Sequence, residues 1–220
     1  MALFDFNRPV RQLRPSSRGV TGKVAISADQ TAGHESSLER DWLLTLAFDQ
    51  RVNALLEQPF TLEYQHGGRA RRYTPDMQVE YRDGSASWFV VYEVKYREDL
   101  RVNWQLYRPR FKAAVAYCRA RGWRFKLITE QEIRGPRIEN IRFLRRYERV
   151  AVQEAHRDAL LQSLSITGPT TPKSLLAATW YDRERQMAAL CELWRLVLVG
   201  EIAADLGAPL TMSSAIWSPQ

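Results

Sequence analysis

Three residues of this chain have types and spacing that suit a reaction: Asp76, Glu93 and Lys95. Asp76 follows Pro75 in "RRYTPDMQVEY", and Glu93-Val94-Lys95 closes the apolar run "SWFVVYEVK". Between them Asp83-Gly84 is a strong hairpin signal. With that pair at the turn tip, Arg82 faces Ser85 and Asp76 faces Val91. Opposed residues share a sheet face, and the face alternates along each strand. Val91, Glu93 and Lys95 then lie on the face of Asp76, with Asp76 and Glu93 diagonal neighbours about 7–8 Å apart at the backbone. A slip of one residue would send the two acids to opposite faces.

Two carboxylates so placed can close on one hard cation, which suits Mg²⁺, with Mn²⁺ able to substitute. In phosphodiester hydrolysis such an ion activates water, polarises the phosphoryl oxygen and neutralises the leaving alkoxide. The Lys95 ammonium would project beside it, to hold the attacking water or offset transition-state charge. Burial near the ion could lower its pKa and let it take a proton. The competing account is a solvated strand edge carrying a surface ion pair. Against that, the Glu93 strand is apolar on both faces, so it should be central. A charged pair there is costly without compensation.

Several elements must hold these residues. A helix is expected in "ESSLERDWLLTLAFD", where Leu38, Trp42 and Leu46 recur every four residues. Ser36 to Glu39 matches a capping box, which by itself favours a capping role for Glu39 over a ligand role. "QPFTLEYQ" reads as a strand, followed by the two hairpin strands. "VNWQLYRPRFKAAVAYCRARG" reads as a helix interrupted near Pro109, "WRFKLIT" as a fourth strand, and "IENIRFLRRYERVAVQEAHRDALLQSL" as one long amphipathic helix. This gives a basic extended arm over residues 1–35, a catalytic domain over 36–165, a linker over 166–173 and a small helical domain over 174–220. In the last, "EIAADLGAPLTMSSAIW" fits a helix-turn-helix pair or a helix end followed by a short β-wing.

The net charge of the 220 residues is +7, which favours a polyanionic partner. From residue 166 onward there are four basic and five acidic residues, so the positive surface belongs to the front of the chain. Arg8, Arg11, Arg14, Arg18 and Lys23 could follow phosphates, or belong to a floppy tail. Arg40, Arg71 and Arg72 flank the Asp76 region. Lys112, Arg119 and Arg121 follow on the next helix, and Arg142, Arg145 and Arg146 form a further cluster. Each is a candidate DNA contact and equally a solvated surface residue. Neither the two cysteines nor the three histidines are spaced for a metal, so zinc chemistry is poorly supported. No apolar run is long enough for a membrane span, and the first residues lack a secretory layout. A cytoplasmic protein is the expectation.

Four separated pieces, "ESSLERDW", "EQPF", "RRYTPDM" and "YEVK", resemble in order and spacing the TnsA endonuclease subunit of heteromeric transposases. The resemblance covers roughly residues 33–129. It implies the PD-(D/E)xK fold of restriction enzymes: an α/β domain with a mixed sheet flanked by helices, then a small winged-helix-like module. It implies a metal site built from Glu39, Asp76 and Glu93, with Lys95 catalytic, and so overrides the cap-only reading of Glu39. Some members carry Gln where Glu93 stands. The implied activity is nicking the 5′ ends of a transposon in double-stranded DNA. The implied partners are a DDE-type, TnsB-like transposase subunit and an AAA+, TnsC-like regulator. The alternatives are another PD-(D/E)xK nuclease of restriction, repair or junction resolution, or a non-catalytic DNA-binding adaptor. Residues 168–220 match the module only in outline, and their charge favours protein contact.

Overall fold

The computed structural model describes residues 22–25, 31–34 and 36–219. They form two compact units that divide between Ile133 and Arg134.

The first unit opens with β1 (Gly22–Ala25) and β2 (Thr31–His34), an antiparallel pair within the segment expected as an arm. Arg8, Arg11, Arg14 and Arg18 lie outside the described residues. Helix α1 (Ser37–Ala47) starts where the Ser36 hydroxyl accepts the Glu39 amide at 3.1 Å. Then come β3 (Val52–Glu57), β4 (Leu62–His66), β5 (Arg69–Tyr73), β6 (Met77–Asp83) and β7 (Ala86–Val94). Helix α2 (Arg97–Arg119), β8 (Arg124–Ile128) and the short α3 (Glu130–Ile133) complete the unit.

Strands β3, β6, β7 and β8 form a mixed sheet in that order, with only the β7–β8 pairing parallel. The Glu93 strand is therefore central, as its two apolar faces required. Side chains of β6 and β7 alternate between two cores. Met77, Val79, Tyr81, Val90, Tyr92 and Val94 pack with α1. Val91 packs with Phe111, Ala114 and Cys118 of α2. Helices on both faces of a mixed sheet make this the restriction-endonuclease-like α/β arrangement.

Two expectations for this unit need correction. Strand β3 was not expected, because "VNALLE" lacks period-two alternation and only pairing with β6 makes it extended. Helix α2 breaks at Asn103 (φ −106°, ψ 18°) rather than at Pro109, and the Asn103 side chain donates to Asp99 at 2.7 Å.

The second unit contains α4 (Pro136–Leu144), a 3-10 turn (Arg145–Tyr147), α5 (Glu154–Thr167), α6 (Pro172–Thr179), α7 (Arg183–Leu198), β9 (Ala203–Ala204) and β10 (Ile216–Trp217). The single long helix expected over residues 138–164 is two helices. The Glu192 carboxylate accepts the Gln153 amide at 2.9 Å and so fixes a new start for α5. Helix α5 packs on α6 and α7 and buries Leu160 and Leu164. It thus belongs to the second unit, which begins about thirty residues before the expected linker. Thr171 caps α6 with Pro172 in its first turn. Thr170 bridges Ile216, and β10 pairs β9. Helix, strand residue, two helices and a two-stranded wing follow in winged-helix order. Among the described residues no helix is long and apolar enough to cross a membrane.

Candidate active site at the β6–β7 hairpin

The ladder pairs Asp83 with Ala86 and Met77 with Tyr92, so Gly84 and Ser85 form the turn. Gly84 has φ +55°, a conformation that suits glycine. Continued by one residue, this register places Asp76 opposite Glu93 rather than Val91. The displacement from the expected pairing is two residues. Face parity survives, and the acids are direct neighbours instead of diagonal ones.

Asp76 ends its extended segment by accepting the Val94 amide at 2.7 Å through Oδ2. Lys95 Nζ stands 3.5 Å from that oxygen, 3.1 Å from Glu93 Oε1 and 3.0 Å from the Val94 carbonyl. Glu93 is 2% exposed, whereas the side chains of Asp76 and Lys95 are 20% and 23% exposed. The site therefore has a sealed carboxylate at its back and an open carboxylate and ammonium at its mouth.

Two further residues fix Glu93, and neither carries a local mark in the sequence. Tyr73, at the end of β5, donates its hydroxyl to Glu93 Oε2 at 2.6 Å. Arg110, on α2 beyond the Asn103 break, reaches Oε1 at 3.4 Å while its guanidinium lies 4.0 Å over the Tyr107 ring. Only the folding of α2 across the sheet brings Arg110 there. Burial raises the Glu93 pKa, and the adjacent Asp76 carboxylate raises it further, against the pull of Lys95 and the Tyr73 hydrogen bond. Burial works against the charge on Lys95, but the carboxylates of Asp76 and Glu93 outweigh it and hold the ammonium above its ordinary value.

Glu39 is held at its cap and acts on Lys95 through its charge. Its amide is capped by Ser36, whose hydroxyl also donates to Glu39 Oε1 at 2.9 Å. Its charge still contributes to holding Lys95 protonated. Turned toward Ser36, it does not complete a cage with Asp76 and Glu93. Among the described residues no three His, Cys, Asp or Glu side chains are grouped to hold a metal. Even so, the donor chemistry fits a hard cation. Two carboxylates and a backbone carbonyl already converge on a positive charge, the Lys95 ammonium.

The expected DNA contacts are dispersed. Arg40 pairs with Asp41 at 3.3 Å. Arg71 and Arg72 project from the exposed β4–β5 hairpin, with Arg72 4.0 Å from Glu63. Lys112 and Arg119 lie on the outer side of α2, and Arg121 stacks 3.4 Å over the Tyr117 ring. Arg142 and Arg145 pair with Glu139 and Glu148 in the second unit.

Comparison with curated proteins gave no match. A family model did match: residues 49–130 fit the one described as TnsA-like endonuclease N terminal. The matched segment begins after Glu39 and includes Asp76, Glu93 and Lys95. Over residues 49–130 the chain is thus similar to the N-terminal domain of TnsA-like endonucleases.

Proposed function

We propose that this protein is a Mg²⁺-dependent DNA endonuclease that nicks the 5′ ends of a transposon as the TnsA-like subunit of a heteromeric transposase. The carrying observation is the convergence of Asp76, Glu93 and Lys95 at one end of a central hairpin in the family-matched segment. Asp76 and Glu93 would hold the metal, with Glu39 nearby and the Val94 carbonyl as a further oxygen. Bound there, Mg²⁺ would supply an activated water and charge neutralisation on the phosphate. Tyr73 and Arg110 keep the Glu93 carboxylate oriented. Lys95, held protonated by its acidic neighbours, would donate to a phosphoryl oxygen or orient the attacking water. Arg71 and Arg72, on an exposed hairpin that leads into Asp76, would meet the phosphate backbone. A DDE-type subunit and an AAA+ regulator would complete the assembly.

A second reading, an adaptor of the same fold that binds DNA without cutting, is favoured by one observation. Glu39 is turned to its cap, so no three-acid cage is assembled among the described residues. Calorimetric titration of Mn²⁺ with duplex DNA present separates the two. Under the nuclease reading the wild type binds the ion and Asp76→Ala does not. Equal binding by both proteins, or by neither, supports the adaptor.

A further inference from the structure

The far edge of the sheet from β3 is β8, which among the described residues pairs with β7 alone. An open edge strand offers a row of unpaired backbone groups. Beside it lies a trough of about 620 Å³, floored by Trp104, Phe111, Val115, Phe125 and Leu127. Trp104 is 42% and Val115 50% exposed, so this apolar floor faces solvent. Phe125 and Leu127 are the β8 side chains on the α2 face.

The cations cluster along the trough, whereas Glu98 and Glu132 line the neighbouring cavity past Trp104. Arg108, Lys112 and Arg119 stand along α2 at helical spacing and line the trough. On the opposite face of β8, Arg124 and Lys126 alternate with Phe125 and Leu127, and both are exposed. Among the described residues no acid lines the trough. An edge with an apolar groove on one side and two cations on the other specifies its complement by strand periodicity.

We propose that the β8 edge is a docking site for an extended acidic segment of a partner protein, which adds a strand to the sheet. Its apolar residues, at alternate positions, would enter the trough under α2. The residues between them would be Asp or Glu, directly opposite Arg124 and Lys126. A DNA backbone would satisfy the cations but leave the aromatic floor uncovered, which favours protein. The inference stands whether or not the hairpin site cuts DNA.

The test uses the full chain and a fluorescent peptide alternating glutamate with valine, read by anisotropy and by hydrogen exchange at the β8 amides. The peptide should bind and slow β8 exchange. A peptide of the same composition with its glutamates grouped at one end should do neither. Val115→Glu, which places a carboxylate in the apolar floor, should weaken binding at least about tenfold. Arg124→Glu combined with Lys126→Glu should reverse the preference toward a lysine–valine peptide. Asp76→Ala, whatever it does to metal binding, should leave peptide affinity and β8 exchange as in the wild type. The proposal is overturned if the alternating peptide leaves β8 exchange unchanged, or if the grouped peptide binds equally well. It is also overturned if a short duplex protects the edge in the peptide's place. Protection that grows with protein concentration alone would assign the edge to a second copy of the chain.

Discussion

Glu93 and Glu192 are both buried glutamates, one in each unit, at 2% and 5% exposure. Glu192 accepts the Gln153 amide at 2.9 Å and lies 3.0 Å from His156 Nδ1. Each of its oxygens has a partner, and no second acid shares the site in those contacts. It is a structural brace that starts α5. Glu93 has partners as well, but it is set beside another carboxylate, and Asp76 raises its pKa. Burial by itself therefore says little about function. A second like charge held alongside, at a cost in stability, is the informative feature, because protein cations only partly offset it.

The contrast predicts different consequences for similar substitutions. The largest effect is expected at the mouth of the Glu93 site. Asp76→Ala or Lys95→Ala should cut nicking of a labelled transposon-end duplex by at least about 10²-fold. The circular dichroism spectrum should stay close to wild type, with a lower melting temperature for Lys95→Ala, which takes a counterion from the buried Glu93. Full activity in either variant would remove the proposed mechanism.

Behind the mouth, Tyr73→Phe and Arg110→Met should each weaken Mn²⁺ binding by about 10–100-fold, because supporting partners orient ligands. Calorimetry would read this directly. Unchanged metal affinity with lowered stability would make Tyr73 and Arg110 ordinary packing residues, and Glu93 more like Glu192.

Glu192→Gln should behave in the opposite way. Its amide group would face a donor that the carboxylate now accepts, at a cost of about 1–3 kcal/mol seen in denaturant unfolding. Mn²⁺ affinity at a permissive temperature should hold. A loss of metal binding would break the contrast drawn between the two glutamates.

The smallest effect tests the double part of Glu39. Ser36→Ala removes the cap and should cost about 1 kcal/mol of stability. It also frees the Glu39 carboxylate from the Ser36 hydroxyl, so metal affinity should stay the same or rise. Weaker metal binding would mean that the cap itself positions Glu39.

Much of the first unit was legible because its signals are local. Asp83-Gly84 marks a turn, and the apolar run before Glu93 marks a buried strand. Strand alternation then puts Asp76, Glu93 and Lys95 on one face, a conclusion that survived a two-residue error in register because parity repeats every two residues. Ser36 as a cap and Pro172 at the start of α6 were legible for the same reason.

Long-range contacts were not legible. "VNALLE" becomes a strand only against β6, and residues 148–153 leave the helix only because Glu192, from α7, takes the Gln153 amide. Tyr73 and Arg110 carry no mark as Glu93 partners, since each reaches it from a separate element. The sequence alone determined which residues share a face, because that follows from the two-residue period of a strand. Tertiary structure alone decided what surrounds that face: which charges stay paired, which carboxylate is sealed, and in what order the strands lie. Those depend on contacts between distant segments, which no local period encodes.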